Sequence, residues 1–94
     1  MAYRGTVWRL GSNQQVAATT SATQTTNAFG AGTHIVRVSS TVGARIAIAK
    51  DPTAVSTGPY IKAGEPEYLV CNPGEKLSAI RVATSGVVTV TECS

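Results

Sequence analysis

One stretch limits the possible folds more than any other. Residues Thr33 to Lys50 read Thr-His-Ile-Val-Arg-Val-Ser-Ser-Thr-Val-Gly-Ala-Arg-Ile-Ala-Ile-Ala-Lys. In Thr33 to Ser39, His34, Val36 and Val38 share one face and Ile35 and Arg37 the other. In Gly43 to Ala49, Ala44, Ile46 and Ile48 face one way, while Arg45, Ala47 and Ala49 face the other. A period of two residues is the mark of a β-strand with one face buried. Arg on the outer face fits an antiparallel sheet. The Ser39–Gly43 connection is of hairpin length, so the stretch predicts two paired strands at the centre of the fold.

The other strands follow at regular spacing. Gly5 to Leu10 is a short candidate, closed by a turn signal at Gly11-Ser12-Asn13. Gln14 to Asn27 carries no charge and only weak alternation. It suits edge strands or an extended arm that orders on a neighbouring subunit. Phe29-Gly30-Ala31-Gly32 is a bend, with Phe29 expected in the core. Lys50 to Ala54 ends a strand at Asp51-Pro52, and Val55 to Gly64 reads as a loop. Glu67 to Cys71, Lys76 to Ala83 and Val87 to Cys93 complete the set, with turns at Asn72-Pro73-Gly74-Glu75 and Thr84-Ser85-Gly86. Arg37–Gly43 and Arg81–Gly86 echo each other as strand, hydroxyl-rich turn and glycine, one hairpin solution used twice. No segment has a helical period. The expectation is an all-β domain spanning 1–94. It is a small antiparallel β-sandwich (jelly-roll, Ig-like or barrel-like) of six to eight short strands. Its core is expected to hold Val36, Val38, Ile46, Ile48, Leu69, Ile80, Val82, Val88 and Val90.

Composition narrows the function classes. Only 14% of the 94 residues are charged, and Ser and Thr supply much of the polar surface. Such a surface is either simply Thr-rich or made to be covered by protein, since few charges there need desolvation. The net charge is +3, but the basic residues Arg4, Arg9, Arg37, Arg45, Lys50, Lys62, Lys76 and Arg81 stand singly. A specific nucleic-acid partner would cluster them, so none is expected. No stretch approaches a membrane span, so no membrane partner is expected. No secretory pattern is visible, and the expectation is synthesis in a cytoplasm.

No catalytic, metal or cofactor site is expected. Glu65 and Glu67 flank Pro66 and suit a solvated turn better than a paired-carboxylate site. His34 is the single histidine, without a second ligand or nucleophile near it. Cys71 and Cys93 fit no metal spacing, and they could pair only if their strands were neighbours. The candidate protein-interface residues are Arg4, Trp8, Arg9, Val16 and Tyr60. Trp8, between two arginines, is either an interface anchor or a cap on the core.

Three pieces of the chain resemble small virion proteins of tailed bacteriophages. They are Phe29-Gly30-Ala31-Gly32-Thr33-His34-Ile35-Val36-Arg37-Val38, then Arg45-Ile46-Ala47-Ile48-Ala49-Lys50-Asp51-Pro52-Thr53-Ala54, and then Glu67-Tyr68 through Pro73-Gly74-Glu75-Lys76 to Ala79-Ile80-Arg81 and Val88-Thr89-Val90-Thr91-Glu92. The resemblance is to the capsid cement or decoration class. It implies a non-enzymatic protein on the virion that binds the major capsid protein of an assembled head, as a homo-oligomer (dimer or trimer), after synthesis in the host bacterial cytoplasm. A tail, head-to-tail connector or fibre component is the alternative. Residues 1–28, with Trp8 as anchor, would then form much of the contact. A carbohydrate-binding module would want a row of exposed aromatics, whereas the five aromatics here are scattered.

Overall fold

The computed structural model describes residues 10–93. They form eight strands: β1 (Leu10–Ala18), β2 (Thr23–Gln24), β3 (Ile35–Ser40), β4 (Ala44–Ala49), β5 (Tyr60–Ile61), β6 (Glu67–Val70), β7 (Lys76–Arg81) and β8 (Gly86–Cys93). Two four-stranded antiparallel sheets result, in the orders β1-β8-β3-β6 and β2-β7-β4-β5. The ladders β1–β8, β2–β7, β3–β6 and β4–β5 nest inside one another. The chain is thus one long hairpin, doubled back between β4 and β5 and wound into two layers. Two more ladders, β3–β8 and β4–β7, stitch each layer together. This is a sandwich with jelly-roll strand order.

β3 and β4 keep the faces expected of them. Val36, Val38 and Ser40 point inward from β3, and Ala44 and Ile46 from β4. They are not a hairpin, however: β3 belongs to the first sheet and β4 to the second. Both strands are central, and their apolar faces meet across the sandwich rather than side by side. Ser40 makes the corner, its hydroxyl donating to the Val42 carbonyl and accepting from the Val42 N–H. The echo at Arg81–Gly86 is likewise a crossing between sheets, from β7 to β8. The two corners bind each other. Thr41 N–H donates to the Val87 carbonyl at 3.0 Å, and Val87 N–H to Thr41 Oγ1 at 2.9 Å.

The core holds Val16, Ala18, Phe29, Val36, Val38, Ala44, Ile46, Ile61, Cys71, Leu77, Ala79, Val88 and Val90, with Ile48 and Leu69 packed against it. On β7 the expected faces are reversed. Ile48 pairs with Leu77 and Ile46 with Ala79, and cross-strand partners share a face, so Leu77 and Ala79 point inward. Ile80 is half-buried on the outer face and Val82 is 51% exposed. The outer face of β7 is covered as well. The loop after β4 folds over it, burying Pro52 and Ala54, and Ala54 N–H donates to the fully buried Ser78 hydroxyl at 3.0 Å. Both faces of β7 are therefore lined, and bulk alone does not reveal which one meets the core.

Of the segment Gln14–Asn27, open between edge strands and an arm in the sequence, residues 14–18 continue β1 and Thr23–Gln24 form β2, each at the edge of its sheet among the described strands. The expected turn at Gly11-Ser12-Asn13 is a β-bulge. Leu10 pairs with Cys93 and Asn13 with Thr91, so one extra residue is accommodated in β1. β5 lies in the segment expected to be loop, and its Ile61 is buried. The bend before β3 is pinned by Glu92, whose Oε1 accepts from Gly30 N–H and from the buried Thr33 hydroxyl. The Asn72–Glu75 turn has the expected form, with Gly74 at φ +85°.

Cys71 and Cys93 are free thiols, both buried. Cys71 extends β6, its backbone N–H donating to the His34 carbonyl, while Cys93 lies opposite Ile35 on the other side of β3. One strand between them means a separation of about 10 Å, beyond disulfide reach. Burial, helped by Glu75 and Glu92, pushes the Cys71 thiol up from 9.0 to about 11.

Two outcomes follow. A Cβ on Gly86 would lie 2.5 Å from Thr41 Oγ1 and 2.7 Å from a Val42 methyl, at the crossing of the corners. Gly86→Ala should therefore cost about 1–3 kcal/mol in urea unfolding, and an unchanged midpoint would contradict this packing. The raised Cys71 pKa favours the folded state through the neutral thiol. That contribution is complete below pH 9.0 and is lost as pH climbs towards about 11. Unfolding midpoints of the parent chain should thus fall faster over that window than those of Cys71→Val.

Candidate protein-interaction site

Of the expected interface residues, Arg4, Trp8 and Arg9 lie outside the described residues. Val16 is a correction. It points inward from β1 opposite Val88 and is 3% exposed, so it fills the core and offers no surface. Tyr60 is 47% exposed and forms one wall of a surface trough.

The trough is built by the pairing of β4 with its two neighbours. Arg45 and Tyr60 are cross-strand partners on the outer face of the second sheet. The Arg45 guanidinium sits over the Tyr60 ring, 5.1 Å from its centroid, and donates to the Gly58 carbonyl at 3.0 Å. So held, the ring extends over Gly43, where a Cβ would lie 2.7 Å from the Tyr60 hydroxyl. On the far side of Gly43, Val82 N–H donates to the Gly43 carbonyl at 3.2 Å. Gly43 is thus the floor, with Tyr60 and Val82 as walls. Ala63, Ala83 and the threonines of the two corners complete a depression of about 340 Å³. Lys62, next to Ala63, pairs with Glu65 at 3.3 Å, while Arg81 shares the inward face with its partner Ala44 and donates to the Ser85 hydroxyl at 2.9 Å.

A second cleft, of about 230 Å³, opens on the side where β5 and β6 are the outermost of the described strands. β5 pairs with β4 only at Ala44 and Arg45, and Pro59 adds one bond to Ile46 N–H. Beyond that point Ile46 and Ile48 line the opening, facing Leu69 and Val70 of β6. Val70 is 77% exposed, the most exposed large apolar side chain among the described residues.

Neither cleft joins a nucleophile to a base. Among the described residues no three His, Cys, Asp or Glu side chains come together in a way that could hold a metal. Glu65 and Glu67 are both exposed, and Glu65 is engaged by Lys62. The site residues missed from sequence are Gly43, Val70 and Val82. Val70 and Val82 looked like ordinary strand residues, because Tyr68-Leu69-Val70-Cys71 is apolar on both faces and β7 is ambiguous. The sequence signal for Gly43 was a turn glycine, and nothing in the chain pointed to the ring above it.

Compared with known proteins, the chain significantly matches no family model, no curated protein and no solved structure.

The clash at Gly43 is with the far end of a flexible side chain. Gly43→Ala should therefore swing the Tyr60 ring outward at a cost below about 1 kcal/mol. NMR should show the Tyr60 ring and Arg45 side-chain resonances moving while the Val36 and Val90 methyls stay in place. Movement of those core methyls would instead mean that the backbone gives way.

Proposed function

We propose that this chain is a non-enzymatic virion structural protein. In this reading it binds the surface of an assembled bacteriophage capsid, contacts the major capsid protein and stabilises the head as a cement or decoration protein. The observation that carries the reading is an exposed apolar patch: Val70 of β6, 77% exposed, stands at an apolar cleft that Ile46, Ile48, Pro59 and Leu69 line. An exposed apolar side chain at the mouth of an apolar cleft suits a contact with another protein chain.

The resemblance to virion proteins supports the choice of partner. Its three pieces fall on the bend and β3, on β4 with its covering loop, and on β6 to β8. Jelly-roll sandwiches also serve as viral capsid and lectin domains, an analogy at the level of fold. Weak contacts suffice for such a role. Dimeric or trimeric copies engaging several capsid subunits at once multiply their affinities.

Quantifying the chain against the major capsid protein in purified virions of the encoding phage tests this. Many copies, in fixed proportion to the capsid protein, are expected. A handful per particle would point to the tail, connector or fibre role, and none would end the virion reading. In co-sedimentation with capsids, Val70→Lys should weaken attachment by at least about tenfold, about 1.4 kcal/mol, with an unchanged melting temperature.

A further inference from the structure

The second cleft has an unpaired strand edge beneath its apolar lining. Along an antiparallel strand, alternate residues turn their backbone N–H and C=O to opposite neighbours. In β4, Ile46 N–H donates to the Pro59 carbonyl, so its backbone groups face the β5 side. Ile48, two residues on, faces the same way. Its β7 partner, Leu77, agrees with this phase. Leu77 is bonded away from β4, accepting from Thr25 N–H at 2.8 Å and donating to the Thr25 hydroxyl at 3.3 Å. The β4–β5 ladder covers only Ala44 and Arg45, and the Pro59 bond ends it. Among the described residues no strand pairs with Ile48 on that side, where the cleft opens.

We infer that this cleft takes an extended segment of a partner protein, added as a short strand beside β4 in the line that β5 leaves, with one apolar side chain seated against Ile48 and Leu69. The inference rests on the reading of Val70 and its cleft as a contact with another protein chain, and names the chemistry of the occupant. Three features select it. The Ile48 N–H and C=O call for an acceptor and a donor at strand spacing, which an extended backbone presents along one edge. None of the six lining residues carries a charge, so the matching side chain is uncharged and apolar. The volume of about 230 Å³ falls below the roughly 300 Å³ at which small-molecule pockets begin, and admits a side chain rather than a whole ligand. Proline cannot serve at the bonded position of the added segment, because it has no N–H to give.

Panning a display library of short random peptides on the full-length chain supplies the probe. Enriched peptides should carry apolar residues at alternate positions, without proline between them. With such a peptide bound, NMR hydrogen exchange at the Ile48 N–H should slow at least about tenfold, while the Ala47 N–H, already turned towards Ser78, stays as it was. N-methylating the peptide backbone at one set of alternate residues should weaken binding at least about tenfold, and at the intervening set less than about twofold. One edge of the added strand faces β4 and the other faces away. No enrichment, unchanged exchange at Ile48, or equal loss from both methylation sets overturns the inference. Slower Ile48 exchange on raising the concentration of the chain alone also overturns it, assigning the cleft to a second copy. If the peptides pair at Ile48 but the chain does not attach to capsids, the strand site stands and the virion reading falls. If the chain attaches to capsids while exchange over β4, read by mass spectrometry, is unchanged, the virion reading stands and the strand site falls.

Discussion

The two sheets depend on the place where their corners cross. Backbone bonds run from Thr41 to Val87 and from Val82 to Gly43, and Gly86 lies against Thr41 and Val42 with no room for a side chain. This crossing fixes how far β3 and β8 sit from β4 and β7. It thereby sets the register in which Val36, Val38 and Val90 meet Ala44, Ile46 and Ala79. It also makes the trough, because the same corners bring Val82 up beside Gly43 and leave the floor open for the Tyr60 ring.

The hydroxyl-rich composition has a physical role once the loops are traced. Thr25 accepts from Leu77 N–H, Ser78 from Ala54 N–H and Thr41 from Val87 N–H, while Ser40 closes its own corner. Each net hydrogen bond is worth about 1 kcal/mol, whereas an orphaned buried polar group costs more. Among the described residues no buried side-chain nitrogen or oxygen lacks a partner. Short hydroxyls do this without the desolvation that buried charges would bring, which explains how a chain with 14% charged residues closes its loops.

Much of the fold was legible because period-two alternation is a local property. β3 and β4 show it cleanly, and their inward faces follow directly from it. Partner choice is not local. The Ser39–Gly43 segment has hairpin length, yet each flanking strand finds better partners, β3 in β6 and β8 and β4 in β5 and β7. β7 was misread for another non-local reason, since the loop carrying Pro52 and Ala54 covers the face that should have been wet. The candidate surfaces were the least legible. Tyr60 could be picked out as a loop aromatic, but Val16, equally plausible in sequence, is buried by β8.

The nested order of the ladders bears on how the chain reaches this state. β1 pairs with β8, so nearly all of the described chain lies between the two partners. Their contact requires closing the longest loop available, and loop closure is repaid only after distant segments have met. β4 with β5, and β3 with β6, are nearer in sequence and can form first. Until β8 is in place, β1 lacks the strand it pairs with and Val16 and Ala18 lack Val88 and Val90 beside them. During synthesis β1 therefore waits for β8, and the described sandwich commits to its final form only when β8 arrives.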